Sequence, residues 1–328
     1  MKRILKPGEG PLRAAAKSKE TELHVEPGTV KRWSCFKKES PPGSIALDGY
    51  VMGRPRFDPD GPYSNFNHHE EVERLATRST CGQVYIAIKQ GLLDSYMREG
   101  RMRCHIFVND ADQDTCLAVW LLRNHERISG VRSEPLISRL VYMEDMLDTS
   151  AGAYPFDPTM KAMRSIAWVF EPYTVARIAG SPADLDSKGM KAIIDSVSER
   201  ISSHVMGRGG EITLDTRYNK FAGRDNWVMI KEIGAHARSR LFADGKKAFI
   251  SVKDRPDGRY SYVIGKMSPF VRFPLERFYD TFNEAEGIAE DDTDRWGGSD
   301  TIGGSPRKRG SGLSPHGIER IISGILAE

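Results

Sequence analysis

The sequence predicts an α/β protein: a parallel sheet with flanking helices in an N-terminal domain, followed by a smaller α+β C-terminal domain. Three observations carry this. Two short apolar runs, Ser44-Ile45-Ala46-Leu47 and Cys104-His105-Ile106-Phe107-Val108, each end at acidic residues. Helix-forming sequence lies downstream of each run, and strand–turn–helix units of this kind stack into parallel sheets that bind ligands at the carboxyl ends of their strands. Beyond residue 210, four segments alternate apolar and polar residues with the period of half-buried strands.

In chain order, residues 1–42 mix Lys, Arg, Glu, Gly and Pro without apolar periodicity and are expected to form a basic flexible leader, with Trp33 docked. Pro41-Pro42 ends it. The strand at 44–47 delivers Asp48 to its carboxyl edge, and the Gly/Pro/Asp-rich GRPRFDPDGPYSNFN reads as a loop. From Glu70, the positions of Val72, Leu75, Val84, Ile86, Ile88 and Leu92 predict one or two helices interrupted at Ser79-Thr80. The strand at 104–108 runs into the turn Asn109-Asp110-Ala111-Asp112-Gln113-Asp114 and then the helical LAVWLLRNH, so Asp48 and Asp110 share one sheet edge. Met190, Ile193, Ile194, Val197 and Ile201 recur at helical spacing within 183–206, and the breaker GRGG marks the boundary. The domains are therefore 1–42, 43–207 and 208–328. In the last, EITLDTRY, WVMIKEIG, KKAFISVKD and RYSYVIGKM read as strands, and PLERFYDTFNEAEG as a helix opened by Pro274. A glycine- and arginine-rich loop, WGGSDTIGGSPRKRGSGLSP, precedes a short helix at 317–326.

Composition narrows the function classes. With 39% hydrophobic and 28% charged residues the 328-residue chain has the balance of a globular protein, and its net charge of +3 leaves anion binding to local patches. No apolar run approaches the roughly 18 residues of a membrane span, the first residues lack a signal-peptide apolar region, and the four cysteines show no paired or zinc-ligand spacing. A cytoplasmic protein without membrane association is expected.

His68-His69-Glu70 and the D-x-D-x-D run at 110–114 supply the nitrogen and oxygen ligands that Mn²⁺ or Mg²⁺ accepts. Two cations about 3.5–4 Å apart, bridged by an aspartate, suit phosphoester hydrolysis. Taken singly, a histidine pair is more often structural and an acidic turn more often a helix cap; together with Asp48 they point to one metal site. An EF-hand is excluded because Thr115 and Leu121 stand where glycine and glutamate are required. Cys81 and Cys116 sit inside apolar helical patterns and read as packing rather than nucleophiles. Arg307, Lys308 and Arg309, among free backbone amides, form a phosphate cradle or a basic linker.

These residues resemble the DHH phosphoesterase superfamily. Asn67-His68-His69 stands where the tripeptide would be, LATRSTCGQVYIAIKQG is similar to the segment that follows it, and Asp48 is similar to the isolated preceding aspartate. Asp110 and Asp112 resemble either the family's opening D-x-D motif, displaced, or its later aspartate. Gly303-Gly304-Ser305-Pro306-Arg307 resembles its GGGH loop. The resemblance covers roughly residues 44–125 and 247–326. It implies a divalent cation held by Asp48, His68, Asp110 and Asp112, with His69 at the scissile phosphate and Ser305, Arg307, Lys308 and Arg309 on the substrate. His68, His69 and Asp112 would carry catalysis. The chain departs from the pattern at Asn67, at Ser305 in place of the loop histidine, and in lacking an H-x-x-x-D-x-D motif before Asp48. The expected function is Mn- or Mg-dependent hydrolysis of phosphodiester or phosphoanhydride bonds in a nucleotide or short oligonucleotide. The alternative is a catalytically degenerate relative that binds nucleotide or nucleic acid. Homo-oligomerisation is compatible with either. His105, one residue too far from Asp110 for the family motif, is expected to pack beside its strand.

Overall fold

The computed structural model describes residues 20–98, 101–131, 133–179, 185–224 and 227–328. It is a mixed α/β structure built on two mixed sheets. The first contains β1 (Glu20–Val25), β2 (Ser44–Leu47), β3 (Arg56–Asp58), β4 (Tyr63–Phe66), β5 (Met97–Arg98) and β6 (Arg101–Val108). Their order is β1-β6-β2-β4-β3, with β5 paired to β6. The pairs β1–β6, β6–β2 and β2–β4 are parallel; β3 and β5 add antiparallel.

Alternation along the strands divides the apolar residues between two faces. Ile45, Leu47, Ile106 and Val108 point to the larger core, which they share with α2 (Thr80–Lys89), α3 (Gln113–Arg123), α4 (Pro135–Thr149), α5 (Lys161–Val169) and α7 (Ser187–Val205). Ala46 and Phe107 point the other way, onto Phe36 of α1 (Trp33–Glu39), Tyr50, Val51 and Tyr63. α6 (Glu171–Ala179) leans on α7. Ile45 and Ile106 are fully buried, so truncating either to Ala costs about 2–5 kcal/mol.

The helix starts follow local capping chemistry. Ser79 caps α2 by accepting from the Gly82 amide, Asp112 caps α3 by accepting from Thr115, and Asp186 caps α7 through Gly189. α4 opens on Pro135 at its first position.

The second sheet runs β11-β12-β10-β9-β8-β7, comprising β7 (Tyr218–Arg224), β8 (Trp227–Glu232), β9 (Ala248–Asp254), β10 (Tyr260–Lys266), β11 (Gly297–Gly298) and β12 (Ile302–Gly304). Only β8–β9 is parallel, joined through α8 (Ala237–Ala243). α9 (Leu275–Glu286) and α10 (Pro315–Ile325) cover one face through Phe278, Phe282, Ile318 and Ile322; Leu241 and Phe242 of α8 cover the other.

Several expectations differ from the structure. Of the 1–42 leader, residues 1–19 lie outside the described residues, but 20–42 are ordered elements: β1 forms an edge of the first sheet and α1 buries Phe36. The loop read over 53–67 contains β3 and β4, whose Ser64 and Asn65 broke the apolar pattern yet are buried and hydrogen-bonded. Before Thr80 only a single helical turn forms, at Arg74–Ala76, and Leu75 is exposed. The strand read over 211–218 starts only at Tyr218, because Leu214 joins the core of the first sheet instead.

Candidate metal centre

Asp48 follows β2 with a left-handed backbone (φ 48°), a conformation few non-glycine residues adopt and which Asn and Asp tolerate better than most. This turn aims its carboxylate across the sheet edge, where Oδ1 accepts from Thr80 Oγ1 at 2.9 Å and Oδ2 from Thr115 Oγ1 at 3.3 Å. His69 Nε2 lies 2.8 Å and His68 Nε2 3.6 Å from the same Oδ1. Burial opposes ionisation of Asp48, but His69, His68 and Thr80 together hold its pKa below the ordinary carboxylate value.

His68 is fully buried. Its Nε2 lies 2.7 Å from Asp148 Oδ2 and 3.7 Å from Asp114 Oδ2. The 2.7 Å contact is short enough for a hydrogen bond but is not aligned as one, and both atoms are buried without a hydrogen-bond partner. Two buried heteroatoms this close without an aligned hydrogen bond are placed as ligands of a common cation would be. Asp48, His68 and His69 form one such group of converging donors, and His68, Asp114 and Asp148 a second sharing His68.

Asp114 also holds the helix that brings the histidines' neighbours into place. Its oxygens accept from the Thr80 and Cys81 amides at 2.7 Å each, so the first turn of α2 points its positive end at the cluster. Asp145 of α4 does the same for the Ser79 amide at 2.7 Å and pairs with Arg78 at 2.9 Å. Burial, with Asp148 and Asp48 nearby, pushes the Asp114 pKa up to about 7. Burial likewise raises Asp112 well above its ordinary value, reinforced by Asp48, Asp110 and Asp148, and raises Glu144, reinforced by Asp148 and Asp114. Asp110 is raised by burial and by Asp48, and Arg307 of the glycine-rich loop pulls it down. Burial works against charging His69, yet its bond to Asp48 raises its pKa on balance.

So many carboxylates in one buried place are costly without positive charge. The donors lie 2.7–3.7 Å from one another, close enough to share a single cation.

The cluster opens into a cleft of about 250 Å³. Asp112, Asp114, Glu144 and Asp148 line it together with Tyr173, Arg177, His236 and Arg238. Arg238 is anchored by Glu232 at 2.8 Å.

Of the residues singled out in the sequence, Asp48, His68 and His69 share a donor group, Asp112 caps α3 beside it, and Asp110 and Arg307 sit at its rim. The rest of the basic loop is engaged elsewhere: Arg309 pairs with Asp292 and Asp294, the Lys308 amide donates to Asp294, and Ser305 accepts from the Tyr262 amide. Asn67 does not touch His68 through its side chain; it donates to the Val51 and Gly53 carbonyls and accepts from the His69 amide, holding the turn. Cys81 and Cys116 are buried with thiol pKa values raised by burial. Sequence reasoning missed Asp148 and Glu144 on α4. Their signal was a like-charged pair at i, i+4 behind Pro135, a spacing that puts both carboxylates on one helix face.

Among the described residues no helix is long and apolar enough to cross a membrane. Comparison of the chain with protein-family models, curated proteins and solved structures returned no match.

Proposed function

We propose that the protein is a Mn²⁺- or Mg²⁺-dependent cytoplasmic phosphoesterase, distantly related to the DHH superfamily, hydrolysing a phosphodiester or phosphoanhydride bond in a nucleotide or short oligonucleotide. The observation that carries this is the unaligned 2.7 Å approach of His68 Nε2 to Asp148 Oδ2, two buried atoms left otherwise unpaired. On this reading the chain forms two domains divided near residue 207, with the substrate between them.

Asp48, His68, Asp114 and Asp148 would hold the cation, with Asp110 and Asp112 adding charge at the edge. When bound, the ion neutralises phosphoryl oxygens and makes water a better nucleophile. His69, partly exposed above the cluster with a raised pKa, carries a proton that a phosphate or leaving oxygen can accept. Arg177 and Arg238 offset substrate phosphate charge within the same cleft, and the Tyr173 ring offers a surface for a base.

A second reading, a nucleotide-binding relative without turnover, is favoured by Ser305, whose hydroxyl is used inside the second sheet rather than for substrate. One assay separates the two. The protein is incubated with Mn²⁺ and short oligonucleotides, cyclic dinucleotides or polyphosphate, beside His68→Ala, Asp112→Asn and Asp148→Asn. Turnover lost in the variants supports the hydrolase. Metal binding without turnover supports the second reading, and equal turnover in all four proteins removes the first.

A further inference from the structure

A second set of converging donors lies on the β1–β6 pair, within the strands rather than past their carboxyl ends. Parallel pairing sets Glu22 against His105 and His24 against Phe107, so all four side chains share the face opposite the larger core. The His24 ring stacks on Phe107 at 4.3 Å and 8°, which fixes its orientation. His24 Nε2 lies 3.3 Å from His105 Nδ1, Glu22 Oε2 lies 3.2 Å from the same Nδ1, and Glu22 Oε2 lies 3.7 Å from His24 Nε2.

A hydrogen bond between His24 and His105 accounts for one side of this triangle, while Glu22 Oε2 approaches both rings without an aligned hydrogen bond to either. A tetrahedral zinc ion with 2.0–2.1 Å bonds requires ligand atoms about 3.3 Å apart, and the three separations scatter around that value. Two imidazoles and a single carboxylate, without the further carboxylates that Asp114 and Asp148 add around His68, are a donor set that Zn²⁺ accepts. Side-chain exposures of 28% for His24, 21% for His105 and 61% for Glu22 leave a path for the ion to enter.

We propose that Glu22, His24 and His105 form a zinc site that pins edge strand β1 to β6 and leaves a fourth position open to water or a small external ligand. It is independent of the cation proposed for the cleft.

The test is a Zn²⁺ titration of the full-length, metal-stripped protein, following heat and the ¹⁵N shifts of the histidine rings. The wild type is expected to bind one more equivalent than His105→Ala or Glu22→Gln, with His24 Nε2 and His105 Nδ1 showing the shifts of ligating nitrogens. Asp148→Asn should retain that equivalent, which separates this site from the cleft. Unshifted His24 and His105 ring nitrogens in the wild type at saturating zinc would overturn the proposal whether or not the variants fold. So would equal stoichiometry in wild type and folded His105→Ala.

Discussion

Asp148 belongs to the donor group around His68 and also faces Arg74 at 3.7 Å. Asp148→Asn keeps the shape but removes a carboxylate from that group. Added Mn²⁺ should stabilise the wild type and not the variant. Thermal melts with and without Mn²⁺ check this, and equal stabilisation of the two proteins by Mn²⁺ would count against the cluster. Crowding of the buried carboxylates sets the pH dependence. The Asp114 pKa is about 7 in the folded chain, above its ordinary value, so the folded state binds the extra proton. Stability is then fully present below about pH 4 and falls as pH rises towards about 7. The raised Asp112, Glu144 and His69 act in the same direction. Asp48, whose pKa is lowered, opposes them only below about pH 4. His24, His204 and His236, lowered by burial, oppose this in the same window, so acidification of metal-stripped protein from pH 7 to 5 should favour the wild type more than it favours Asp114→Asn. With saturating Mn²⁺ this preference should reverse, because protons compete with the ion. Denaturant midpoints at three pH values read this directly. At this scale the sequence pointed to His68, His69, Asp48 and the 110–114 turn, because acids and imidazoles just past apolar runs stand out; the donor groups take Asp48, His68, His69 and Asp114 from these, and not the expected ligands Asp110 and Asp112. Asp148 was hidden, since a carboxylate four residues after another on an amphipathic helix looks like ordinary solvent-facing charge until the helix is known to face a cleft.

At the scale of elements, the start of α2 is the junction of the site. Its Ser79 amide is satisfied by Asp145 of α4, and its next two amides by Asp114 of α3. Asp145→Ala would strand the buried Ser79 amide and leave Arg78 unpaired, costing about 1–3 kcal/mol. Because Asp145 does not belong to either donor group around His68, Mn²⁺ affinity should change less than it does in Asp148→Asn. Chemical denaturation and calorimetry together test the split. The helices with clean periodicity or caps, α3, α7, α9 and α10, were legible to within a few residues. β1 was not, because ETELHV at an exposed edge carries Glu22 and His24 on its open face and shows only Leu23 and Val25 to the core. α4 to α6 were not read either, although Ile137, Leu140 and Val141 of α4 and Met163, Ile166 and Ala167 of α5 are buried; α4 packs chiefly on α2 and α3, and α5 and α6 on α7.

Across the whole molecule, the larger core and the second sheet meet along the cleft rather than at a single linker. Leu214 packs into the larger core from beyond residue 207, while Ala153 joins the cluster on the second sheet. A boundary read from the GRGG breaker identifies where α7 stops but cannot anticipate these exchanges, since they depend on how the two sheets face each other. Arg177 and Arg238 come to line the same cleft as the acids only in the folded chain, so no local motif announced this wall. If this wall holds substrate phosphate, Arg177→Ala and Arg238→Ala should raise KM about tenfold or more while leaving kcat within a few-fold. Steady-state kinetics at low and high ionic strength would show it, with a weaker salt dependence in the variants.

The most direct measurement is anomalous diffraction at the manganese edge from crystals equilibrated with Mn²⁺. A peak about 2.1 Å from both His68 Nε2 and Asp148 Oδ2, with Asp48 or Asp114 completing the shell, is the predicted result. No peak there at millimolar Mn²⁺, with His68 and Asp148 rotated into an aligned hydrogen bond, would contradict it.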